Sequence, residues 1–323
     1  MSNTHKILIT GGAGYIGSVL TDCLLSRGHA VTVLDNLKFG QNSLHGMCHN
    51  SNFQFILGDV RDKQTLKNAI ASADYIIPLA ASVGAPACDS DPEYAKSVNL
   101  EANKTLAQIV SRDQRIIYPN TNSGYGVSNA TDVCTEQTPL NPISLYGVTK
   151  VQAEEVLLST ESAVAFRLAT VFGPSPKMRI DLLVNNFTYK AVNDGVLVLF
   201  EQHFRRNYIH VRDVVTAFIH SMDNFDEMKN NAYNLGLSSA NLTKRQLAEK
   251  IRDYVPGLEI ISAQFRKDPD KRDYIVSNEK LEATGWSPTY SLDDGINQLL
   301  KIYKMVHSAD GYMSSKSFDC RNY

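Results

Sequence analysis

Residues 6–35 constrain the fold more than any other segment, because they combine a strand, a glycine-rich turn, a helix and a second strand. KILIT is a short apolar run typical of a buried strand, and GGAGYIG comes next as the turn. IGSVLTDCLLSRG has apolar residues at helical spacing and stops at Gly28, a residue suited to a helix C-terminal cap. AVTVLD then forms the second strand. This order predicts a right-handed βαβ unit and therefore a parallel sheet.

The same alternation of strands and helices continues through about residue 173. We predict further strands at 53–59, 74–81, 115–121 and 163–173, and helices over 93–111 and 146–160. Beyond residue 174 the pattern changes to mixed helices and short strands. Within this part, Thr243 and Gln246 have the spacing of a capping box and predict a helix start.

The bulk composition excludes several classes of protein. The 323 residues carry a net charge of −2, and 43% of them are hydrophobic, which describes a globular chain with no surface for nucleic acid or membranes. The N-terminus has no pattern of a secretory signal. Five scattered cysteines are an odd number, so we expect reduced thiols in a cytoplasmic protein. The length favours one large domain or two interleaved ones.

The turn after the first strand has the features of a dinucleotide site. Gly11, Gly14 and Gly17 allow main-chain N–H groups to approach a pyrophosphate at a helix N-terminus. Asp35 ends the second strand, where a carboxylate can accept the hydroxyls of a ribose and would repel a 2′-phosphate. Asp59 ends the third strand, beside the expected adenine position. These features together predict NAD as the cofactor.

Tyr146 and Lys150 are four residues apart on a predicted helix and therefore share one face. A phenol with a pKa of about 10 is a poor base at neutral pH, but a neighbouring ammonium group favours the phenolate. Thr121 ends a predicted strand and can hydrogen-bond the reacting oxygen of a substrate. We expect these three residues to remove a proton and a hydride from an alcohol.

The segments ITGGAGYIG, DNL, GDV, LAA, YGVTK and NYIHVRDVV resemble the extended short-chain dehydrogenases that modify nucleotide sugars. The resemblance covers about residues 5–305. It implies a Rossmann-type doubly wound parallel sheet with a smaller C-terminal α/β substrate domain, a homodimer, and Thr121, Tyr146 and Lys150 as the catalytic residues. The NAD contacts that it implies, besides Tyr146 and Lys150, are Gly11, Gly14, Tyr15, Ile16, Gly17, Asp35, Asn36, Asp59, Val60, Leu79, Ala80, Ala81 and Asn99.

The resemblance also suggests a domain division and a set of substrate residues. The expected NAD domain is 1–173 plus about 207–235, and the expected nucleotide-sugar domain is 174–206 and 236–323. Two departures from the family stand out: LFEQHFRR lacks the usual Gly-Asp-Gly turn, and Val83 replaces a lysine of galactose-type 4-epimerases. The candidate residues for the substrate are Asn122, Ser123, Arg179, Asn185, Arg205, Arg206 and Arg272.

The fate of the sugar after oxidation at C4 depends on the residues next to Thr121. In 4,6-dehydratases an Asp-Glu pair comes directly after the catalytic threonine, whereas this chain has Asn122 and Ser123, so dehydration is disfavoured. A 4-epimerase and a plain 4-dehydrogenase need the same catalytic groups, and the local chemistry does not separate them.

A closer resemblance favours one of these two activities, the dehydrogenase, over the epimerase. YPNTNSGYG, MRIDLLVNNFTY, HFRRNYIHVRDVV and DPDKRDYIVSN are similar to the branch that oxidises C4 of GDP-mannoheptose for capsule heptoses. We therefore rank a GDP-sugar dehydrogenase first and an epimerase second. A non-enzymatic NAD-binding regulator would be free to lose Tyr146 and Lys150, and both are present.

The segment HGMCHN brings His45, Cys48 and His49 together, but no second Cys/His group completes a four-coordinate site. We therefore predict no metal.

Overall fold

A seven-stranded parallel β-sheet forms the centre of the protein, whose computed structural model describes residues 4–127, 133–263 and 273–305. The N-terminal part of the chain supplies the first seven strands and six helices. In chain order these are β1 (Lys6–Thr10), α1 (Tyr15–Ser26), β2 (Ala30–Asp35), β3 (Phe53–Leu57), α2 (Lys63–Ile70), β4 (Tyr75–Pro78), α3 (Ala85–Ser90), α4 (Pro92–Lys96), α5 (Ala102–Ile109), β5 (Arg115–Thr121), β6 (Val133–Cys134), α6 (Leu145–Leu158) and β7 (Ala163–Leu168).

The rest of the described chain adds short strands and six further helices. These are β8 (Thr170–Phe172), α7 (Leu183–Asn193), β9 (Val196–Phe200), β10 (Arg205–His210), α8 (Val211–Asp223), α9 (Phe225–Met228), β11 (Asn231–Leu235), β12 (Asn241–Thr243), α10 (Lys244–Arg252), β13 (Glu259–Ala263), β14 (Ile275–Val276), α11 (Glu279–Glu282) and α12 (Leu292–Tyr303). Short 3₁₀ turns lie at His45–Met47 and Asn122–Tyr125, and a π-helical turn lies at Ser97–Glu101.

The strand order of the central sheet is β11-β7-β5-β4-β1-β2-β3, and every neighbouring pair is parallel. The chain leaves the sheet centre in one direction through β2 and β3, and in the other through β4 and β5. The sheet therefore has a switch point between β1 and β4, and ligands bind outside the carboxyl ends of strands at such a point. This confirms the predicted doubly wound α/β class.

The two faces of the sheet bury different side chains because strand residues alternate. On β1, Ile7 and Ile9 join one core cluster, whereas Leu8 joins the other. The first cluster includes residues of α1 and α8, and the second includes residues of α2, α5 and α6. Helices on both faces explain why these strands read as continuous apolar runs in the sequence.

Two predicted elements differ in the structure. The sequence predicts one strand over 163–173, but the chain divides after Leu168: Ala169 donates its N–H to the carbonyl of Leu235, and β8 then pairs with β10 in a second, three-stranded sheet. The helix predicted over 93–111 contains the π-helical turn at Ser97–Glu101, between α4 and α5. The predicted capping box of Thr243 and Gln246 is confirmed at the start of α10.

No helix in the described ranges is both long enough and apolar enough to span a membrane. The division at residue 173 stays a prediction. Pairing of β11 with β7 does place residues 231–235 in the central sheet.

Asp213 connects α8 to the segment before α12, and its loss should destabilise the fold. Its buried carboxylate accepts the backbone N–H groups of Thr289 (2.9 Å) and Tyr290 (3.0 Å). We expect Asp213→Ala to lower the free energy of unfolding by about 2–3 kcal/mol, because two N–H groups lose a charged acceptor. Urea denaturation measures this. Asp223→Ala, at an exposed position of the same helix, is the matched control and should change little.

Candidate active site

A cleft of about 320 Å³ opens at the carboxyl edge of the central sheet, over the switch point. With the exception of Asn99, all of the residues predicted to contact NAD line this cleft, and so do Thr121, Tyr146 and Lys150. The register of the sheet explains this, because Thr10 pairs with both Leu34 and Pro78, so the ends of β1, β2 and β4 meet at one edge.

The glycine-rich turn leaves no room for side chains. A Cβ on Gly11 would lie 2.6 Å from the backbone nitrogen of Ala80, and Gly11 has a positive φ of 69°. A Cβ on Gly17 would lie 2.6 Å from the Cα of Gly12. Gly14 is the N-cap of α1, and no side chain caps this helix. The first N–H groups of α1 are therefore available to an anion, and the positive end of the helix dipole favours one.

Asp35 is held in place by the backbone. Its Oδ2 accepts the N–H of Ala13 (3.0 Å), and its Oδ1 accepts the N–H of Leu37 (2.8 Å). Burial raises the pKa of Asp35, while these two hydrogen bonds lower it in part. A carboxylate offers about four lone-pair positions, so acceptor capacity remains for a ribose diol. The glycine turn, the open helix end and this carboxylate together fit a dinucleotide.

Besides the predicted Asp59, the cleft has charged and aromatic residues that the sequence patterns did not single out. Lys38 places its Nζ 3.3 Å from the ring centroid of Tyr94, and both residues line the cleft. Arg61 binds Asp59 through Nε (2.9 Å) and Nη2 (2.8 Å), and this pairing lowers the pKa of Asp59 to about 2. The sequence signal that could have indicated Lys38 is its position three residues after the end of β2. No sequence signal indicated Tyr94.

Asn99 lies beside the cleft and not in it. Its Oδ1 accepts the N–H of Ser82 (2.8 Å), and its Nδ2 donates to the carbonyl of Ser82 (3.0 Å) and to Oγ1 of Thr149 (3.3 Å). The side chain is fully buried. Asn99 thus ties the segment after β4 to α6.

The predicted catalytic residues meet at the middle of the cleft. Ser144 caps α6 by accepting the N–H of Gly147 (3.1 Å), so Tyr146 and Lys150 lie in its first two turns. Lys150 is buried with its Nζ 4.2 Å from the ring centroid of Tyr118. Burial lowers the pKa of Lys150 to about 7. Its charge is therefore sensitive to small changes around it near neutral pH.

Thr121 is the last residue of β5, and its hydroxyl is hydrogen-bonded to nearby Ser123. Its Oγ1 donates to Oγ of Ser123 (2.9 Å) and accepts the N–H of Ser123 (3.1 Å). Asn122 and Ser123 are buried behind Thr121 in the 3₁₀ turn and do not line the cleft. Of these three residues, only Thr121 is positioned to touch a substrate.

Among the predicted substrate residues that the structure describes, only Arg179 lines the cleft. Its guanidinium forms a bidentate pair with Asp181. Lys177, which no sequence pattern singled out, lines the same wall. Lys177 and Arg179 precede α7, and their side of the cleft, here called the wall, carries positive charge that the carboxylate of Asp181 partly balances.

Asn185 stabilises this wall from behind. Its Oδ1 accepts the N–H of Gly173 (3.0 Å), and its Nδ2 donates to the carbonyl of Arg179 (2.9 Å) and to the hydroxyl of Tyr15 (3.3 Å). Tyr15 in turn donates to the carbonyl of Gly173 (2.6 Å). Asn185 is fully buried, so it has a structural role and connects α1 to α7.

Two further candidates, Arg205 and Arg206, do not line the cleft. Arg205 donates to Asp273 through Nε (2.9 Å) and its backbone N–H (2.8 Å). Arg206 is 2% exposed and donates to the carbonyl of Arg205 (2.8 Å). Arg272 lies outside the described residues. Within the described ranges, no group of three or more His, Cys, Asp or Glu side chains has metal-binding geometry.

The sheet, the glycine turn and the Tyr146–Lys150 pair define a dinucleotide-dependent oxidoreductase. A family model, described as the NAD dependent epimerase/dehydratase family, matches residues 7–236, and the chain belongs to this family. It is therefore an enzyme of the extended short-chain dehydrogenase/reductase class with an activity of the epimerase/dehydratase type, and NAD is its cofactor.

Known proteins resemble the chain over almost its whole length. It is 29% identical over 310 residues to a low-salt glycan biosynthesis protein of Haloferax volcanii, covering 92% of this chain and 98% of that one. It is 28% identical over 334 residues to CDP-paratose 2-epimerase of Salmonella typhi, covering 91% and 98%. The structure of UDP-glucose 4-epimerase from Thermotoga maritima with UDP-glucose superimposes with a TM-score of 0.81 at 26% identity, covering 93% and 99%.

Gly17→Ala should weaken NAD binding by at least about tenfold, because the new methyl group displaces α1 from the turn that receives the pyrophosphate. Isothermal titration calorimetry measures the dissociation constant directly. Gly46→Ala is the matched control, since a Cβ there would meet no atom within 4 Å. Equal affinity in both variants would contradict the role given to this turn.

Lys150→Met should stabilise the protein without NAD while abolishing activity. A buried ammonium is costly, and its replacement by an apolar side chain should raise the free energy of unfolding by about 1–4 kcal/mol. Because the pKa of Lys150 falls from 10.5 to about 7 on folding, the gain should be full below pH 7 and shrink toward pH 10.5. Urea denaturation at several pH values measures it. A variant less stable than wild type at pH 6 would contradict the prediction.

Proposed function

We propose that the protein oxidises the C4 hydroxyl of a nucleotide-linked sugar. The observation that carries this proposal is the position of Thr121, Tyr146 and Lys150 in the same cleft as the dinucleotide residues. The names of the relatives add support, because they include a CDP-paratose 2-epimerase and UDP-glucose 4-epimerases, all of which act on nucleotide sugars.

In the proposed mechanism Tyr146, as the phenolate, takes the proton of the C4 hydroxyl. Lys150 in its ammonium form stabilises that phenolate and the negative charge that develops on the substrate oxygen. Thr121 donates its hydroxyl hydrogen to the same oxygen, for which it must release Ser123. Bound NAD supplies the acceptor for the hydride that leaves C4. One proton and one hydride leave the sugar, so the product is a 4-keto sugar.

The residues behind Thr121 disfavour a subsequent elimination of water. Asn122 and Ser123 carry no ionisable proton that could be delivered to a leaving hydroxyl at C6. Both are buried off the cleft. We therefore propose a dehydrogenase that releases the ketone, with GDP-mannoheptose as the first substrate to test, in agreement with the resemblance of the sequence. A homodimer in the cytoplasm is part of the same proposal.

A 4-epimerase is the second candidate. It is favoured by the similarity to UDP-glucose 4-epimerase, which exceeds 25% identity over 93% of the chain. The same three residues would return the hydride to the other face of the ketone after the sugar has turned. In that case UDP-linked sugars would be better substrates than GDP-linked ones.

Incubation with NAD and GDP-mannoheptose in deuterated water, with NMR of the sugar afterwards, distinguishes the candidates. A 4-keto product with an equivalent amount of NADH is expected. A sugar inverted at C4 without net NADH would make the enzyme an epimerase, and loss of the oxygen at C6 would mean a dehydratase. No change in GDP-linked sugars, with turnover of UDP-linked ones, would overturn the GDP assignment.

Tyr146→Phe should lower the rate of NADH formation by at least about 100-fold, because the general base is removed. NAD should still bind, since the glycine turn and Asp35 remain, and calorimetry checks this separately. Tyr254→Phe serves as the control. Tyr254 follows α10 and does not line the cleft, and its hydroxyl contacts Asp293 of α12. Wild-type activity in Tyr146→Phe would refute the mechanism.

A further inference from the structure

Glu154 lies one helical turn after Lys150 on α6 and is 3% exposed. It does not line the cleft and takes no part in the proposed transfer of proton and hydride. Its carboxylate binds Arg167 of β7, which donates through Nη2 to Oε1 (2.7 Å) and through Nε to both oxygens (3.2 Å). An ion pair this deeply buried is costly unless its remaining polar atoms are satisfied, so its surroundings need an explanation.

The same carboxylate also holds the catalytic strand. Asn120 donates its Nδ2 to Oε2 of Glu154, and Asn120 directly precedes Thr121 at the end of β5. Glu154 therefore joins three elements: β5, which carries Thr121, α6, which carries Tyr146 and Lys150, and β7. Besides the hydrogen bond from the hydroxyl of Tyr118 to the carbonyl of Lys150 (3.2 Å), this side chain is a polar link between β5 and α6, and the link reaches the strand at Asn120, next to Thr121.

Arg167 is itself fixed by a further set of bonds. Its Nη1 donates to the hydroxyl of Tyr125 (3.1 Å) and to the carbonyl of Glu136 (3.1 Å). Tyr125 then donates to Oδ1 of Asn234 on β11 (2.6 Å). Because Arg167 has partners on its other side, it cannot follow a displaced carboxylate without breaking several hydrogen bonds. Glu154 thus has one well-defined position.

Glu154 is also the carboxylate that acts on Lys150. The ring of Tyr118 on β5 and the thiol of Cys88 on α3 face Lys150. Burial raises the pKa of both groups, so both stay neutral. Tyr146 lies one turn earlier on α6. Asn99 and Thr149, which are bonded to one another beside α6, add no charge. The negative charge of Glu154 raises the pKa of Lys150 against the effect of burial.

We propose that Glu154 is a positioning residue of the catalytic centre, which fixes α6 against the end of β5 and increases the fraction of Lys150 in its ammonium form. The kinetic part of this proposal rests on the proposed function, whereas its electrostatic part concerns the protein alone. Both can therefore be tested separately.

The first experiment measures the protonation of Lys150 without any substrate. Competitive labelling with acetic anhydride between pH 5 and 10, with mass spectrometry of the peptide that contains Lys150, gives the midpoint of its titration. In Glu154→Gln this midpoint should fall by about one pH unit, since a nearby charge shifts a pKa by this order. The charge left on Arg167 acts in the same direction. Glu155→Gln, an exposed neighbour on the same helix, is the control and should leave the midpoint unchanged.

The second experiment uses the pH profile of kcat. In Glu154→Gln the alkaline decline should move to lower pH, and kcat at pH 7.5 should fall by about tenfold or more with a small change in KM. Glu154→Asp keeps the charge but shortens the side chain, so it should lose kcat while its labelling midpoint stays near that of the wild type. This variant provides the test if Glu154→Gln does not fold.

The outcomes separate the two proposals. A shifted midpoint in a protein that oxidises no nucleotide sugar would refute the proposed function but support the role of Glu154. An unchanged labelling midpoint of Lys150 in folded Glu154→Gln would overturn that role. A Glu154→Asp variant with the kcat of the wild type but a displaced labelling midpoint would overturn it as well. Loss of thermal stability alone, with an unmoved pH profile, would identify Glu154 as a purely structural residue.

Discussion

The proposed catalytic centre depends on the burial of Lys150, which projects from the helix of Tyr146 and places its Nζ 4.2 Å from the ring centroid of Tyr118. Burial removes water that would screen the ammonium, so its effect on a neighbouring phenolate is stronger than at the surface. The same burial lowers the pKa of Lys150, which is about 7 with the opposing effect of Glu154 included. A carboxylate one turn away opposes this loss of charge. The arrangement therefore combines a strong electrostatic effect with a charge that the surroundings must maintain.

The dinucleotide half of the site was predictable because its signals are local in the sequence. Gly11, Gly14 and Gly17 belong to one turn, and Asp35 ends the next strand, so spacing alone places them together once the sheet is parallel. Tyr146 and Lys150 share a helix face for the same reason. These inferences needed no knowledge of distant contacts, and all of these residues line the cleft.

The substrate half was harder to predict from the sequence, because several candidates are held by residues of other elements. Arg205, a predicted substrate residue, is paired with Asp273, 68 residues later, a contact that no local pattern reveals. Asn185 was expected in the pocket, yet its amide joins Gly173 to Arg179 behind the wall. Asn99 is presented by a π-helical turn, which no apolar periodicity reveals. The break between β7 and β8 likewise results from pairing with β10, a tertiary contact.

The free-energy difference that decides between the possible products is smaller than the activation free energy of the oxidation itself. Thr121, Tyr146 and Lys150 serve oxidation and reduction equally well, because a catalyst lowers the barrier in both directions. An epimerase must retain the ketone long enough for it to turn, and a dehydrogenase must release it sooner. A difference of about 1.4 kcal/mol between these two barriers changes the product ratio tenfold, which is about the net contribution of one hydrogen bond. Lys177 and Arg179 line the cleft, so a single hydrogen bond from either of them to a bound keto sugar would be enough to change the product ratio. In the proposed mechanism the catalytic residues alone therefore do not determine the product.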